Sequence, residues 1–167
     1  MGHGYDAHVL ERGRRLMLGG VLVPSEMGLA GHSDADVVFH ALCDAVLGAL
    51  ALGDIGRHFP ETDPAYEGAA GAMLARRVAE LVRVRGYEVT SVDATVVAQA
   101  PRLAPYARRM RENIAEAFDM GVESVSVKAT TTERMGFVGR GEGIACHAVA
   151  VLMPSAVDRR PPDRQGT

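Results

Sequence analysis

Apolar and polar positions change period several times along this chain, and each change marks an element. Gly4-Tyr5-Asp6-Ala7-His8 reads as a strand running to about His8. Two short apolar runs flank Gly19-Gly20 between Arg15 and Pro24, which predicts a tight hairpin. A helical period runs from about Asp34 to Leu50, and Ser33 with Asp36 resembles a capping box in which Asp replaces Glu or Gln. Residues 54–68 are rich in Gly, Pro, Asp and Thr and predict an irregular loop. A second helix is expected over about 69–85, with Met73, Leu74, Val78, Leu81 and Val82 as its stripe and Gly86 just past its end. Val92 to Gln99 is a β-branched strand. Pro105 suits the first position of a third helix that turns Tyr106, Met110, Ile114 and Phe118 inward. Ser124–Ala129 and Ile144–Leu152 supply two more strands. The order predicts an α/β chain of α+β type, a mixed β-sheet with helices packed on one face.

A chain of 167 residues suffices for one domain, expected over 1–153. Residues 154–167 hold three Pro, three Arg and two Asp and read as a disordered tail. Aromatics make up 5% and Trp is absent, so aliphatic residues and Met must fill the core. The net charge is −3 with no basic stretch, which argues against a nucleic-acid partner. No secretory leader and no apolar run near 18 residues stands out, so a soluble, cytoplasmic protein without a membrane span is expected. Cys43 and Cys146 both fall in apolar segments and read as buried thiols in a reducing compartment.

The chemistry begins at Asp6 and His8, which share one strand face because residues two apart point the same way. His40 lies one turn past Asp36 on the first helix, so a helix docked on that face could bring the three together. Two His and one Asp with an open fourth position is a catalytic zinc set rather than a structural one. Taken alone, an Asp-x-His triplet reads rather as an ordinary Asp–His hydrogen bond. Asp44 or Asp36 could orient the His40 ring from behind. His3, His58 and His147 lack partner spacing and read as non-ligands.

Lys128-Ala129-Thr130-Thr131-Thr132-Glu133-Arg134 gathers hydroxyls and backbone N–H groups at a strand end, suited to phosphate or sugar, with a carboxylate suited to Mg²⁺. A solvated strand end is the bland reading. Lys128 is the only Lys among 18 basic residues. The glycines of Gly136-Phe137-Val138-Gly139-Arg140-Gly141-Glu142-Gly143 do not follow G-x-G-x-x-G and precede a strand, which excludes a dinucleotide loop. Arg140 could meet an anion there. Ala98-Gln99-Ala100-Pro101-Arg102-Leu103 leaves a strand and by itself reads as a connection.

In order, GHGYDAH, HSDADVVFHALCDA, LGDIG, FPETDP, AQAPRL, KATTTE and GFVGRGEGIAC resemble the 2-C-methyl-D-erythritol 2,4-cyclodiphosphate synthases of the non-mevalonate isoprenoid pathway, from Gly2 to about Leu152. The resemblance implies a metal-dependent phosphorus–oxygen lyase. The substrate's phosphate attacks the β-phosphorus of its cytidine diphosphate, CMP leaves and a cyclic diphosphate forms. It implies Zn²⁺ on Asp6, His8 and His40, and Mg²⁺ or Mn²⁺ on Glu133. His32 and Thr131 match positions that stabilise the transition state, with Ser33 beside the phosphate. Asp54, Ile55 and Gly56 match the loop on the methylerythritol hydroxyls, continued by Phe59, Pro60, Glu61, Thr62 and Asp63. Ala98, Gln99, Ala100, Pro101, Arg102 and Leu103, with Lys128, Thr130 and Thr132, match the cytidine and phosphate pocket. Arg102 stands where Lys is common.

The resemblance further implies a homotrimer with intersubunit sites, and a central cavity near Phe137 and Arg140 that accepts isoprenoid diphosphates. Two readings compete. A zinc phosphohydrolase would release CMP but leave an open phosphate monoester. A nucleotide- or isoprenoid-binding module would release nothing.

Overall fold

The computed structural model describes residues 1–155 apart from Glu61 and Glu67. Glu61 and residues 156–167 of the expected tail therefore lie outside the described residues. The described residues form seven strands: β1 (Gly2–Arg12), β2 (Leu16–Leu18), β3 (Val21–Val23), β4 (Met27–Leu29), β5 (Tyr87–Val97), β6 (Val125–Thr130) and β7 (Gly143–Pro154). Helices are α1 (Val37–Ala49), α2 (Ile55–His58), α3 (Gly71–Val84), α4 (Ala107–Phe118) and the single turn α5 (Gly136–Gly139).

The main sheet runs β4-β1-β7-β5-β6, and β2 and β3 form a separate ribbon. Among the described strands, only β5 and β6 pair in parallel. A parallel pair needs a crossover rather than a hairpin, and α4 supplies it. The sheet is mixed, as expected, and the tail region begins inside it: Pro154 pairs with Tyr87, and Ser155 N donates to Gly86 O at 2.8 Å.

The helices cover one face. α1 lies across β1 and β7, with α3 against α1 and α4. Along α1 nearly every side chain is buried; His40 and Asp44 are the half-buried polar exceptions on one stripe. Phe39, Leu42, Leu47, Met110, Ile114 and Ile144 fill the core between sheet and helices. The opposite face is open: His3, Tyr5 and Val9 on β1 and Ser126 and Lys128 on β6 are exposed.

Several elements differ from expectation. α1 starts at Val37, not Asp34, because Ser33 and Asp34 turn the chain with their side chains. Ser33 Oγ accepts from Ala35 N at 3.1 Å and Asp34 Oδ1 from Asp36 N at 3.1 Å. Asp36 itself is the N-cap, accepting from Val38 N and Phe39 N. The second Asp34 oxygen accepts Gly71 N at 3.0 Å and so caps α3. Pro105 lies in a 3₁₀ turn before α4 rather than at its first position. β4 and α2 were not expected: three residues split by a glycine carry too little alternation, and a four-residue helix too little period.

Asp36 also anchors the hairpin. Gly19 N and Gly20 N donate to its two oxygens at 2.8 and 2.6 Å, from a turn where both glycines have positive φ. Burial pushes the Asp36 carboxyl up from its ordinary value, against the pull of those amides. Cys43 and Cys146 are free and buried, and burial raises both thiols far out of the reactive range. No helix among the described residues is long and apolar enough to cross a membrane.

Candidate active site

β1 and α1 bring three ligating side chains to one point. Asp6 Oδ2 lies 2.9 Å from His8 Nε2 and 3.0 Å from His40 Nδ1, and the two ring nitrogens are 3.1 Å apart. This is a nearly equilateral triangle of one carboxylate oxygen and two imidazole nitrogens. Among the described residues it is the one group of three or more His, Cys, Asp or Glu that could hold a metal ion. Bonds of about 2.0–2.2 Å from such donors span ligand edges only slightly longer than these, so the triangle suits a small ion with an open fourth position.

The surroundings fix the rings. His8 Nδ1 lies 2.9 Å from Ala30 O. A carbonyl only accepts, so this nitrogen carries the proton and Nε2 is left to face the triangle. His40 Nε2 lies 3.1 Å from Ser33 Oγ. The expected carboxylate behind His40 is therefore a hydroxyl instead. Asp36 is spent on the helix start and hairpin, and Asp44 Oδ1 accepts Ile55 N at 2.7 Å. Burial alone would raise the Asp6 carboxyl, but hydrogen bonds from His40 and His8 hold it well below the usual carboxylate range. Burial raises the Asp44 carboxyl.

A cavity of about 160 Å³ opens beside the triangle, lined by Asp6, His8, His32, Ser33, His40, Asp44, Ile55, Gly56, Phe59, Tyr66 and Leu74. Asp54 caps α2 by accepting Arg57 N at 2.9 Å, which sets Ile55 and Gly56 on the cavity wall. Phe59 meets Tyr66 edge to face at 5.3 Å between centroids. Pro60, Thr62 and Asp63 do not reach this wall. Tyr66 was missed by sequence reading, since loop 54–68 has no period that would aim a side chain, and Leu74 was read only as part of the apolar stripe of α3.

A larger cavity, about 520 Å³, lies at the ends of β5 and β6. Ala98 to Leu103 and Lys128 to Thr131 line it, with Met110 and Val96 at its base. Ala98 N donates to Thr130 O at 3.0 Å, and Gln99 Oε1 accepts Arg134 N at 3.2 Å, which ties the two loops together. Ala100-Pro101 is cis. Lys128 Nζ is bonded to Asp93.

Thr131 Oγ1 donates to Glu133 Oε1 at 3.1 Å, and Thr132 Oγ1 to Met135 O at 2.6 Å. Glu133 is exposed, with φ +52, and lines neither cavity. Arg140 forks onto Glu142 at 2.7 and 3.0 Å, and Phe137 is half-exposed beside it. The two cavities have no lining residue in common.

The model of the YgbB family matches residues 1–153. The chain belongs to the YgbB family. Among its relatives, the 2-C-methyl-D-erythritol 2,4-cyclodiphosphate synthase of Azotobacter vinelandii is 60% identical over 153 residues, 92% of this chain and 98% of that one. The synthase of Thioalkalivibrio sulfidiphilus is 59% identical over 152 residues, 91% of this chain and 95% of that one. A solved cyclodiphosphate synthase with bound CDP superposes with a TM-score of 0.84 at 33% identity, over 91% of this chain and 99% of that one. The bifunctional IspDF of Campylobacter jejuni gives 0.88 at 42% identity, over 92% of this chain and 42% of that longer one.

Proposed function

We propose that this chain converts 4-diphosphocytidyl-2-C-methyl-D-erythritol 2-phosphate to 2-C-methyl-D-erythritol 2,4-cyclodiphosphate and CMP. The observation that carries this reading is the Asp6–His8–His40 triangle, open towards a small cavity walled by Ser33, Gly56 and Phe59. The high identity to named synthases over nearly the whole chain supports it.

In the reaction an oxygen of the 2-phosphate forms a bond to the β-phosphorus. The bond from that phosphorus to the bridging oxygen breaks, and the bridging oxygen leaves on CMP. Two anions must meet, so positioning and charge neutralisation dominate and no protein nucleophile is required. Asp6, His8 and His40 would hold Zn²⁺ and Glu133 would help to hold Mg²⁺ or Mn²⁺, and such ions would supply positive charge that makes the phosphorus electrophilic. His32 and Thr131 act as hydrogen-bond donors to the charge developing on the phosphoryl oxygens. Ser33 orients His40. Asp54, Ile55 and Gly56 seat the methylerythritol hydroxyls, with Phe59 on the same cavity wall. Ala98 to Leu103, Lys128, Thr130 and Thr132 take the cytidine diphosphate.

Residues 1–153 act as one catalytic domain in the cytoplasm. The substrate needs both cavities, and their separate linings within one chain favour a homotrimer whose sites form between adjacent copies. Phe137 and Arg140 belong to a central cavity that takes an isoprenoid diphosphate; a melting temperature unmoved by geranyl diphosphate would refute that part.

Phosphorus NMR of the protein with its substrate, with and without chelator, tests the main reading. A cyclic diphosphate plus CMP, lost on chelation and restored by Zn²⁺ with Mg²⁺, is expected. An open phosphate monoester indicates a hydrolase, and no turnover indicates a binding module.

A further inference from the structure

One short segment meets the outer nitrogens of both imidazoles in the triangle. Ala30 N donates to Val9 O at 2.9 Å, and Ala30 O lies 2.9 Å from His8 Nδ1. Further along, Ser33 Oγ stands 3.1 Å from His40 Nε2 and accepts Ala35 N at 3.1 Å. His32 lies between these two contacts in the chain. Asp36 then ends the segment as the buried N-cap of α1, the helix that carries His40.

Two residues without functional groups close this segment on itself. A Cβ built on Gly31 would stand 2.9 Å from the Ala35 Cβ, 3.3 Å from His8 Cε1 and 3.4 Å from His8 Nδ1. Carbon atoms in contact prefer about 3.5–4.0 Å, so the corner beside Gly31 is already filled by the Ala35 methyl and the His8 ring. Ala35 is fully buried and has φ +54, in the left-handed region where a Cβ is costly and glycine is the usual residue. The methyl that strains this backbone is the one that meets Gly31.

We infer, on the reading of the triangle as a metal site, that Gly31 and Ala35 are positioning residues: a single methyl, carried at 35 and not at 31, sets the spacing of residues 30–36 and with it the orientation of the His8 ring. A second methyl at 31 has no rotamer that moves it aside. Either the His8 ring turns, carrying Nε2 away from Asp6 and His40, or the segment shifts, taking Ala30 O off His8 and Ser33 off His40. All three donors remain, but their geometry is lost. Exchanging the methyl, Gly31→Ala with Ala35→Gly, removes the 2.9 Å contact and puts glycine at the left-handed position. The contacts left, at 3.3 and 3.4 Å to the ring, need only a slight shift.

Zn²⁺ affinity of the metal-stripped, folded variants, measured by competition with a chelator, tests this coupling. Groups that orient a metal ligand are typically worth about 10–100-fold in affinity, and Gly31→Ala should lose roughly 10-fold or more. Ala35→Gly, which only empties the corner, should lose less. The double variant should regain most of the Gly31→Ala loss, the non-additivity expected of residues in contact. Gly31→Ala that binds as the wild type does, even with a lower melting temperature, overturns the proposal, and so does a double variant no tighter than Gly31→Ala. Should Gly31→Ala fail to fold, the double variant must fold and bind near wild-type strength, or the proposal fails. A wild type that takes up no Zn²⁺ defeats the metal reading instead. The coupling is then read from nitrogen-15 histidine spectra of the metal-free proteins. The His8 Nδ1 signal should move in Gly31→Ala and return in the double variant, and a signal that Gly31→Ala leaves unmoved overturns the coupling.

Discussion

Gly4 touches the backbone of Ala41: a Cβ built on Gly4 would stand 2.0 Å from the Ala41 carbonyl oxygen and 2.7 Å from Ala45 N. Gly2 makes the same approach one step earlier, 2.1 Å from Ala45 O. These two glycines let α1 lie directly on β1. That closeness lets His40, on the helix, reach Asp6 and His8 on the strand.

Gly4→Ala should therefore damage both stability and the metal triangle. The clash is with backbone, and no rotamer can relieve it. Overpacking typically costs about 1–3 kcal/mol, and a helix forced off its strand belongs at or above the upper end of that range. Urea unfolding should lose about 3 kcal/mol at unchanged slope. Zn²⁺ affinity measured on the folded variant should fall as well. A variant with wild-type midpoint and affinity would show that the helix moves freely on the strand.

The Asp6, His8 and His40 set was readable from sequence because two regular periods, two for a strand and 3.6 for a helix, each aim a side chain. The supporting residues were not. His40 leans on Ser33, a turn residue whose direction follows from an Asp34 hydrogen bond and the positive φ of Ala35. Tyr66 and Leu74 reach the cavity by way of an irregular loop and a separate helix. β4 escaped notice because Gly28 packs against the Arg15 backbone, with a built Cβ only 2.3 Å from Arg15 O, and so interrupts the apolar alternation.

Ser33→Ala tests the support of His40. The hydroxyl lies 3.1 Å from His40 Nε2 and also accepts Ala35 N. Its loss frees the ring to rotate while leaving all three ligands in place. Removing a group that orients a metal ligand typically costs about 10–100-fold in affinity. Zn²⁺ affinity, measured by competition with a chelator, should weaken by roughly 10-fold, within that range, with a much smaller change in melting temperature. Unchanged affinity would mean that Asp6 and the packing of α1 on β1 hold the His40 ring without the hydroxyl.

Asp36→Ala should be among the most destabilising single changes. Four amides lose an acceptor: Gly19 and Gly20 of the hairpin, and Val38 and Phe39 of the first helical turn. An N-cap is worth about 0.5–2 kcal/mol, and each buried donor left unsatisfied costs about 1–3 kcal/mol. Water can enter the opened space and recover part of this, so a loss of about 3 kcal/mol or more is expected. Amide exchange at Gly19 and Gly20 should accelerate with it. A loss under about 1 kcal/mol would show that the hairpin and helix do not share this anchor.

Asp44→Asn gives a change of opposite sign. The Asp44 carboxyl is half-buried and its pKa is raised, chiefly by burial, with Asp54 and Asp6 adding repulsion. A carboxyl raised on folding favours the folded state while it is protonated. That contribution is complete below its unfolded pKa and is lost as pH rises through the folded value. At neutral pH the folded protein therefore carries the cost of a partly buried charge. Asparagine keeps an oxygen to accept Ile55 N, which Asp44 now holds at 2.7 Å, and sheds the charge. Asp44→Asn should be more stable than the wild type at pH 7, and the gap should close as pH falls into the range where carboxylates protonate. Asp44→Ala should lose the Ile55 bond and gain nothing comparable, with α2 loosening beside the cavity. Melting curves of the three proteins from acid to neutral pH decide the matter: a gap between the wild type and Asp44→Asn that does not change with pH would mean that Asp44 acts through its hydrogen bond alone.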